Sequence, residues 1–495
     1  MLNLYNSFTK SLEKVELSSD DVKVYLCGPT VQSSPHIGHG RSSVVFDFFI
    51  RYLKYLNYNV SFARNITDID DKIIIKSSEQ NIGFKELANK ISKEFEQAYS
   101  NLNCLSPDFE PKATEYIDEI IVYIKQILDK DMAYVSESGV YFNTAAFTDY
   151  LKLSGRKLEE VISGTRVDIQ DDKKAPEDFA LWKFAKEGEP YWESTWGKGR
   201  PGWHIECSAM INTILGEEID FHCGGNDLIF PHHENELAQS KAAYPNKNFV
   251  KYWLHNGMIN LSGKKMSKSE GNVKILNDYI DEYGGDVMRF YFLRAQYRSP
   301  QEFSEDLLIE SQTTFNKISE FIKDTKPGPI DKNLINLFEE CMGDDLNTPK
   351  LIGEIFLQIN NSTNLDHLIQ NDLKATIRYI FHTLGFTFLK AETEQLSDEK
   401  LANYFDNYGI IFESIEQAMN EYIIIREQHR TNEEYEIADV MRDSLLNIGI
   451  KIEDGKKDGW SWNNNRRQEC SSICFRLWES NKSKLYTARK QIRKF

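Results

Sequence analysis

The sequence of 495 residues lacks any apolar run that approaches the ~20 residues needed to cross a bilayer. Its first residues also lack the charged, apolar and small-residue pattern of a secretory signal. Neither a membrane span nor export is therefore expected. The seven cysteines do not form the dense framework of a small secreted domain. Metal-binding or reactive thiols in a reducing cytoplasm are predicted rather than disulfides.

The chain also lacks an overall excess of positive charge, since its formal net charge is −17. This argues against a globally basic nucleic-acid binder but does not exclude RNA, because binding depends on a local basic face. Residues 461–495 carry nine Lys or Arg against two Glu, a local charge of +7. A polyanion-contacting arm and a solvated tail both fit this segment.

The length favours two to four domains. Residues 1–300 mix short strand-like runs with helical segments, which predicts an α/β sheet domain. Apolar spacings of three and four residues predict helices within 301–390 and 398–447, and the polar segment AETEQLSDEK between them is expected to be a linker. The predicted strands are Val22–Cys27, Val60–Ala63, Gly139–Phe142 and Ile219–Cys223.

The loop PTVQSSPHIGHG follows the first predicted strand and precedes a helix expected over Arg41–Leu56. Strand, turn and helix in this order form the first unit of a doubly wound sheet, whose ligands bind at the carboxyl ends of the strands. His36 and His39 are three residues apart and can face the same side of a helix N-terminus, which suits phosphate. Gly38 and Gly40 would let a ligand approach the backbone closely. The loop therefore predicts a polyphosphate site, with capping histidines in a structural turn as the alternative.

A second loop, GKKMSKSEGN, places three lysines among small and hydroxyl residues at 263–272. Two of them, Lys265 and Lys268, stand in the run KMSKS. Ammonium groups on such a loop suit pyrophosphate as point charges. A solvated surface loop is the alternative interpretation.

Four residues of types suited to zinc occur in three separate segments. Cys27 ends the first predicted strand, Cys207 lies in GRPGWHIECSAM, and FPHHENE supplies His232 and Glu236, whose spacing of four puts both on one helix face. Two thiolates, one imidazole and one carboxylate form a zinc set with room for a further ligand from substrate. His233 would point about a quarter-turn away and is a weaker candidate. Buried small hydrophobic cysteines are the alternative, and the metalloprotease pattern HExxH is absent.

These motifs together resemble a known family. HIGH (residues 36–39) followed much later by KMSKS resembles the motif pair of class I aminoacyl-tRNA synthetases. A longer series resembles cysteinyl-tRNA synthetases and covers about residues 3–462; it comprises CGPTV, NITDIDDKI, WHIECS, GGNDLIFPHHENE, WLHNGM, KMSKS, DDLNTP, IADVMRDSL and GIKIEDGKKDGW.

The resemblance implies that cysteine is activated by ATP to cysteinyl-adenylate and then transferred to the terminal ribose of tRNA-Cys. It implies one Zn²⁺ on Cys27, Cys207, His232 and Glu236, which binds the substrate thiolate, and Mg²⁺ with ATP. His36 and His39 would hold the ATP phosphates, and Lys265 and Lys268 would neutralise the reacting phosphate and pyrophosphate. Further implied substrate or ATP contacts are Gly28, Thr30, Gly38, Thr67, Trp203 and Asp227. A core aromatic and a helix cap are the alternatives for Trp203 and Asp227.

The implied fold is a Rossmann-like doubly wound parallel-sheet catalytic domain over residues 1–300, with an inserted connective segment at about 100–200. Helical stem-contact (301–390) and helical and small anticodon-binding (398–462) regions are expected to follow, and then a basic extension (463–495). The expected partners are ATP, L-cysteine and tRNA-Cys. A cytoplasmic monomer without membrane contact is expected.

Two alternative functions remain at this point. A related ligase activates cysteine in the same way but transfers it to a non-tRNA amine acceptor, an amino sugar; it is expected to lack the full anticodon-binding module. A catalytically silent RNA-binding descendant is expected to lose motif residues, and all are present here. Cys223 replaces a glycine usual in the family and is close enough in sequence to the metal residues to raise the question of adventitious binding.

Overall fold

The computed structural model describes residues 2–164, 172–261, 264–265, 274–326 and 328–388. Beyond these it describes residues 402, 404–406, 408–411, 414–432, 434, 438, 441, 450–452 and 460–462. The predicted linker 391–400, the basic extension 463–495 and Lys268 lie outside the described residues. The chain divides into two compact units, Met1–Phe388 and Leu389–Phe495.

The first unit contains thirteen described strands and thirteen described α-helices. The strands are β1 (Asn3–Asn6), β2 (Ser11–Lys14), β3 (Asp21–Leu26), β4 (Asn59–Arg64), β5 (Ala133–Val135), β6 (Gly139–Phe142), β7 (Phe179–Phe184), β8 (Gly199–Pro201), β9 (Ile219–Gly225), β10 (Val250–Asn256), β11 (Ile259–Leu261), β12 (Lys264–Lys265) and β13 (Gln301–Phe303). The helices are α1 (Ile37–Tyr55), α2 (Asp71–Glu79), α3 (Phe84–Asn101), α4 (Ile117–Leu128), α5 (Leu158–Gly164), α6 (Trp203–Ile214), α7 (Glu234–Ala243), α8 (Leu276–Tyr283), α9 (Gly285–Leu293), α10 (Glu305–Ile322), α11 (Lys332–Gly343), α12 (Thr348–Asn361) and α13 (His367–Thr383).

A four-stranded parallel sheet in the order β10-β9-β3-β4 organises this unit. The side chains of each strand point alternately to the two faces of this sheet, as the two-residue period of a strand requires. Leu26, Cys223 and Leu254 join the core that contains α1 and α9, whereas Tyr25 and Trp253 join the core that contains α6. Helices thus cover both faces of the sheet, and the predicted α/β doubly wound class is confirmed.

The four predicted strands all occur, as β3, β4, β6 and β9. The helix expected over Arg41–Leu56 begins four residues earlier, at Ile37, with His36 as its N-cap in extended conformation. Most of α1 is buried, which its run of aliphatic and aromatic side chains allows. The early start places both histidines of the loop within or next to the first helical turn.

An antiparallel sheet in the order β5-β6-β7-β8 lies in the chain between β4 and β9. Its buried face and α4 form a separate core with the apolar sides of α6 and α7. This core anchors α6 from the side opposite the parallel sheet, which fixes the helix that carries Cys207.

Four helices, α10 to α13, follow the sheet, and each begins at a side chain that accepts a backbone N–H, the usual way to satisfy the free donors of a first turn. These N-caps are Ser304, Asp331, Asn347 and Asp366. The buried Asp345 accepts from the Tyr5 backbone N–H at 2.9 Å and pairs with Arg298 at 2.6 Å. It ties these helices to the chain's first strand.

The second unit contains a helix α14 (Ile415–Thr431) and an antiparallel pair, β14 (Ile450–Ile452) and β15 (Trp460–Trp462). Tyr422 is fully buried and its hydroxyl donates to the Met441 carbonyl at 2.9 Å. No helix of the described residues combines the length and the apolar character that a bilayer crossing requires.

Candidate active site

Four predicted ligand residues meet at the carboxyl end of β3. One donor atom from each of Cys27, Cys207, His232 and Glu236 lies within 4.8 Å of the other three. Three of these residues are buried and Cys27 is half-buried. The structure therefore brings together a cluster of two thiols, an imidazole and a carboxylate that is compatible with a metal site.

Different elements hold the members of this cluster. Cys27 follows β3, and strand alternation turns it to the same side as Tyr25. Cys207 lies in the second turn of α6, and Glu236 lies in the first turn of α7, with His232 just before that helix. The expected spacing of four brings His232 Nε2 to 3.1 Å from Glu236 Oε1.

Glu236 is the centre of the hydrogen bonding. The Cys27 thiol donates to its Oε1 at 3.5 Å, and His222 Nε2 lies 2.9 Å from its Oε2. Both carboxylate oxygens take part in these contacts, so Cys27 on one side and His222 of strand β9 on the other hold Glu236 in position.

The cluster has a second possible ligand set that the sequence did not indicate. Cys27, His222, His233 and Glu236 also place one donor atom each within 4.8 Å of the others. His233 Nε2 is 3.3 Å from the Cys27 sulfur, so the quarter-turn expected to turn it away does not remove it from the site. His233 ends a π-helical turn, Ile229–His233, that precedes α7 and contains a kink at Phe230, so the spacing of a regular α-helix does not apply there. Cys223, in contrast, packs on the opposite face of the sheet.

Further histidines support the cluster from outside. His204 Nδ1 is 2.9 Å from His232 Nδ1, which leaves His232 Nε2 to face the cluster. His233 Nδ1 is 2.8 Å from His255 Nε2, and His255 Nδ1 is 2.8 Å from the Ser7 hydroxyl. Sequence reasoning missed His204, His222 and His255. His204 and His255 do lie in two motifs of the family resemblance, WHIECS and WLHNGM, but those motifs did not mark the histidines as part of the site.

Burial controls the protonation of these groups. It raises the pKa values of Cys27 and Cys207, and the neighbouring Cys207 and Glu236 raise that of Cys27 further. Burial lowers the pKa of His232, and it lowers that of His204 to about 3. The imidazoles are therefore neutral, which is the form that binds a metal, while the thiols need a nearby cation to ionise. This donor set suits a divalent ion with affinity for sulfur.

The histidines of the loop before α1 lie at the same strand ends. The rings of His36 and His39 stack with centroids 3.7 Å apart, and His39 also contacts Phe95 edge-on at 5.0 Å. The His36 backbone N–H donates to His39 Nδ1 at 3.1 Å. This bond puts the proton of neutral His39 on Nε2, so the ring offers a donor.

The two glycines predicted for close ligand approach differ in their surroundings. Gly38 lies in the first turn of α1. A Cβ on Gly40 would stand 2.7 Å from Leu276 and 3.3 Å from Phe292, so α1 packs closely against α8 and α9 here and a larger residue would have to displace the Leu276 side chain.

Thr30 and Thr67 face each other across a short parallel bridge at the ends of β3 and β4. The Thr67 N–H donates to the Pro29 carbonyl at 3.1 Å. The Gly28 N–H donates to Asn65 Oδ1 at 2.9 Å, and a Cβ on Gly28 would meet the Asn65 carbonyl oxygen at 1.6 Å. Only glycine fits this position.

The other residues predicted to contact substrate or ATP lie on separate elements of the chain. Trp203 begins α6, with its ring 4.4 Å from the His232 ring. Asp227 is exposed on the short turn that follows β9. Lys265 is described only by its place in β12, opposite Asn260, and Lys268 lies outside the described residues.

Known proteins resemble this chain in sequence and in fold. A sequence-family model described as "tRNA synthetases class I (C) catalytic domain" matches residues 13–313. A protein of Methanococcus maripaludis named cysteine–tRNA ligase is 40% identical over 479 residues, covering 93% of this chain and 98% of the relative. A protein of Pseudothermotoga lettingae with the same name is 40% identical over 463 residues, covering 92% and 97%.

Among solved structures, methionyl-tRNA synthetase of Mycobacterium tuberculosis in complex with methionyl-adenylate is similar, with a TM-score of 0.54. The match covers 74% of this chain and 89% of that one at 14% identity. At this identity the likeness concerns the fold alone.

Proposed function

Because the chain belongs to the cysteine–tRNA ligase family of class I tRNA synthetases, we propose that it activates cysteine with ATP and attaches it to tRNA-Cys. The observation that carries the proposal is the buried cluster of Cys27, Cys207, His232 and Glu236 at the carboxyl end of β3. In a doubly wound sheet this edge is where ligands bind. The cluster lies at the same edge as the N-terminus of α1, which suits phosphate.

The amino-acid site is proposed to contain one Zn²⁺ held by these four residues, which would supply a Lewis acid with affinity for a thiolate. The four side chains orient the cysteine substrate by its sulfur, and the Trp203 ring closes the site beside His232. Serine offers a harder and less acidic oxygen. An apolar pocket separates substrates that differ by one methylene-sized group by only about 1–3 kcal/mol, so recognition through sulfur provides selectivity that packing cannot.

The first step is attack of the cysteine carboxylate on the α-phosphate of ATP, which releases pyrophosphate. The N-terminus of α1 with Gly38, and the Nε2–H of His39 beside His36, are proposed to hold the phosphates. Such fixed donors stabilise charge that develops during the reaction. Lys265 and Lys268 are proposed to neutralise the reacting phosphate and the leaving pyrophosphate, with Mg²⁺ accompanying ATP. Gly28, Thr30 and Asp227 are proposed to line the ATP and substrate cleft, with Asp227 at the ribose.

The second step transfers the cysteinyl group to the terminal ribose of tRNA. We assign residues 301–390 to contacts with the tRNA stem, 398–462 to the anticodon and the basic segment 463–495 to the phosphate backbone. Relatives named cysteine–tRNA ligase align over more than nine-tenths of the chain, which supports tRNA over an amine acceptor. We propose a monomer in the cytoplasm, where the cluster thiols remain reduced.

Transfer of labelled cysteine to bulk tRNA by the purified protein, with ATP and Mg²⁺ and with serine as competitor, tests this function. Cysteine-specific charging is the expected result. Pyrophosphate exchange that depends on cysteine without charging of tRNA would show that the acceptor is wrong. Equal charging with serine would contradict recognition through sulfur.

A further inference from the structure

Arg41 is a buried arginine on α1 that the proposed reaction does not yet use. It lies two positions after His39, and its side chain has no exposed surface. Burial lowers the pKa of its guanidinium to about 10, so the group still carries its charge at pH 7. Among the described residues no carboxylate pairs with it, and every hydrogen bond of its side chain goes to a backbone carbonyl oxygen. Arg41 therefore acts on the position of main-chain segments.

These carbonyl oxygens belong to two segments that are distant from α1 in the chain. Arg41 Nη1 donates to the Met258 carbonyl at 2.9 Å, and Nη2 donates to the Ser299 carbonyl at 2.6 Å. Met258 directly precedes β11, and Ser299 lies two positions before β13. A guanidinium is a planar, rigid fork of donors, so it fixes two acceptors relative to each other. Arg41 thus joins α1 to the starts of β11 and β13.

The two segments leave each other no space to move independently. Strands β11 and β13 pair in parallel, and the Gly257 N–H donates to the Tyr297 carbonyl at 2.8 Å. A Cβ on Gly257 would stand 2.2 Å from the Ser299 carbonyl oxygen and 2.4 Å from the carbonyl carbon. Both are backbone atoms, which cannot rotate away as a side chain can. A shift at the Arg41 contacts would therefore also shift β11.

Strand β11 leads to a lysine that the proposed reaction uses. It pairs antiparallel with β12, where Lys265 lies opposite Asn260. His39, which is proposed to hold the ATP phosphates, lies in the first turn of α1. Arg41 therefore connects the helix that carries one phosphate-binding residue to the hairpin that carries another. Stabilisation of developing charge requires that such groups are held in a fixed geometry before the reaction.

We propose that Arg41 is a positioning residue that holds the β11–β12 hairpin against α1, so that His39 and Lys265 act on the same ATP molecule. The inference rests on the proposed function, because it requires ATP to bind between the N-terminus of α1 and this hairpin. Arg41 itself touches no substrate in this proposal. It acts through the backbone of β11.

Arg41→Lys tests the proposal, because lysine keeps the positive charge but lacks the rigid fork of donors. Cysteine-dependent pyrophosphate exchange at saturating substrates is expected to slow about 100-fold, the cost of a misplacement of about 1 Å. The zinc content and the KM for cysteine are expected to stay at the wild-type values, since Arg41 belongs to neither possible ligand set. An unchanged exchange rate, or a slower rate accompanied by loss of zinc, would overturn the proposal.

A double-mutant cycle with Lys265→Ala separates positioning from a general structural effect. If Arg41 acts by placing the hairpin, Lys265→Ala already removes the group that it places. The protein with both substitutions is then expected to be slower than Lys265→Ala alone by no more than about twofold. Two effects that multiply would overturn the proposal, and so would a wild-type rate in Lys265→Ala.

Arg289→Lys is the matched control. Arg289 is also fully buried, and it donates to the Leu384 carbonyl at 2.7 Å and to the Leu102 carbonyl at 2.9 Å. Any slowing of exchange by Arg289→Lys is expected to multiply with that of Lys265→Ala, because these contacts do not reach β11. Urea denaturation of both arginine variants shows how much stability each has lost. A cycle for Arg289 that is as non-additive as the cycle for Arg41 would overturn the proposal.

Gly257→Ala keeps the proposal testable should Arg41→Lys fold poorly. The added Cβ forces the same two segments apart without a change at Arg41. It is expected to slow exchange and to show the same non-additive cycle with Lys265→Ala. Gly139→Ala is its control, because a Cβ there would stand 2.3 Å from the Trp182 carbonyl oxygen in the antiparallel sheet. Its effect on exchange should multiply with that of Lys265→Ala.

The same measurements distinguish failure of this inference from failure of the proposed function. Effects of Gly257→Ala and Lys265→Ala that multiply, in a wild-type background that does exchange pyrophosphate with cysteine, would overturn only the assignment of Arg41. A wild-type protein without cysteine-dependent exchange would instead contradict the proposed function itself.

Discussion

Cys27 and His233 are joined by a hydrogen bond of 3.3 Å between Sγ and Nε2, although 206 positions separate them in the chain. His233 in turn contacts His255, so the sulfur stands at the end of a line of buried imidazoles. A hydrogen bond to a ligand atom fixes its orientation and adjusts how strongly it binds a metal. The two possible ligand sets share Cys27 and Glu236, which makes these two residues the common part of the site.

Cys207→Ala is expected to abolish bound zinc and cysteine-dependent pyrophosphate exchange together, because it removes one of two sulfur ligands. Cys223→Ala is the control, since Cys223 is equally buried but packs on the other face of the sheet. It should retain one zinc per chain. Zinc content by atomic emission, with exchange measured on the same samples, checks both. Normal cysteine affinity in a zinc-free Cys207→Ala protein would contradict recognition through the metal.

His204→Phe is expected to weaken zinc binding about 10- to 100-fold, the usual cost of removing a partner that orients a metal-bound imidazole. The lost contact is the one from His204 Nδ1 to His232 Nδ1. Competition with a chelator measures the affinity. His382→Phe removes a histidine of α13 that contacts the Phe386 carbonyl and belongs to neither possible ligand set, so it should leave zinc affinity unchanged. Equal affinities in the wild type and His204→Phe would refute the orienting role.

His39→Asn is expected to slow adenylate formation about 100-fold, the typical effect of losing one donor to developing charge. An Asn side-chain oxygen can still accept from the His36 N–H, so the helix start should survive while the Nε2–H donor is lost. Lys268→Ala should slow the same step, with the neighbouring Lys264→Ala as its control. Pyrophosphate exchange measures the rate, and zinc content should not change. Wild-type rates of pyrophosphate exchange in both His39→Asn and Lys268→Ala would contradict the roles assigned to these residues.

Asp47→Asn is expected to destabilise the first unit by about 3–5 kcal/mol at pH 7, because it leaves the buried Arg289 unpaired. Burial alone would raise the pKa of Asp47, but Arg289 and Arg51 outweigh burial and hold it below its usual value. A lowered pKa gives stability that is present above about pH 4 and is lost as the pH falls through the folded-state pKa.

The difference in unfolding free energy between the wild type and Asp47→Asn should therefore be largest at neutral pH and shrink in acid. Urea denaturation at pH 7 and at pH 3 measures it. Glu79→Gln, which breaks an exposed pair with Lys76, should change the unfolding free energy by less than about 1 kcal/mol at either pH. A difference for Asp47→Asn that does not vary with pH would contradict the role of its charge.

Local patterns in the sequence were sufficient to predict a large part of the fold. The strands β3, β4, β6 and β9 appear where short apolar runs indicated them, because strand propensity and flanking turns are properties of neighbouring residues. Helix α1 begins four residues before the expected start, since the histidine that caps it belongs to no common capping type. The proximity of His232 and Glu236 followed from helical spacing alone.

What the sequence could not supply depends on contacts between distant segments. His222 reaches Glu236 only because β9 pairs with β3 in a register that sets His222 beside Tyr25. The close packing around Gly40 comes from Leu276 and Phe292, which no local pattern connects to it.

The 209 positions between Cys27 and Glu236 also have a consequence for how the protein is made. A ribosome that adds about 5–20 residues per second incorporates Cys27 roughly 10–40 s before it incorporates Glu236. Throughout this interval β9 is not yet available to pair with β3, and the sulfur has no enclosing cluster. Protection of that thiol from oxidation is therefore a requirement of biosynthesis, which applies before the site can bind its first metal ion.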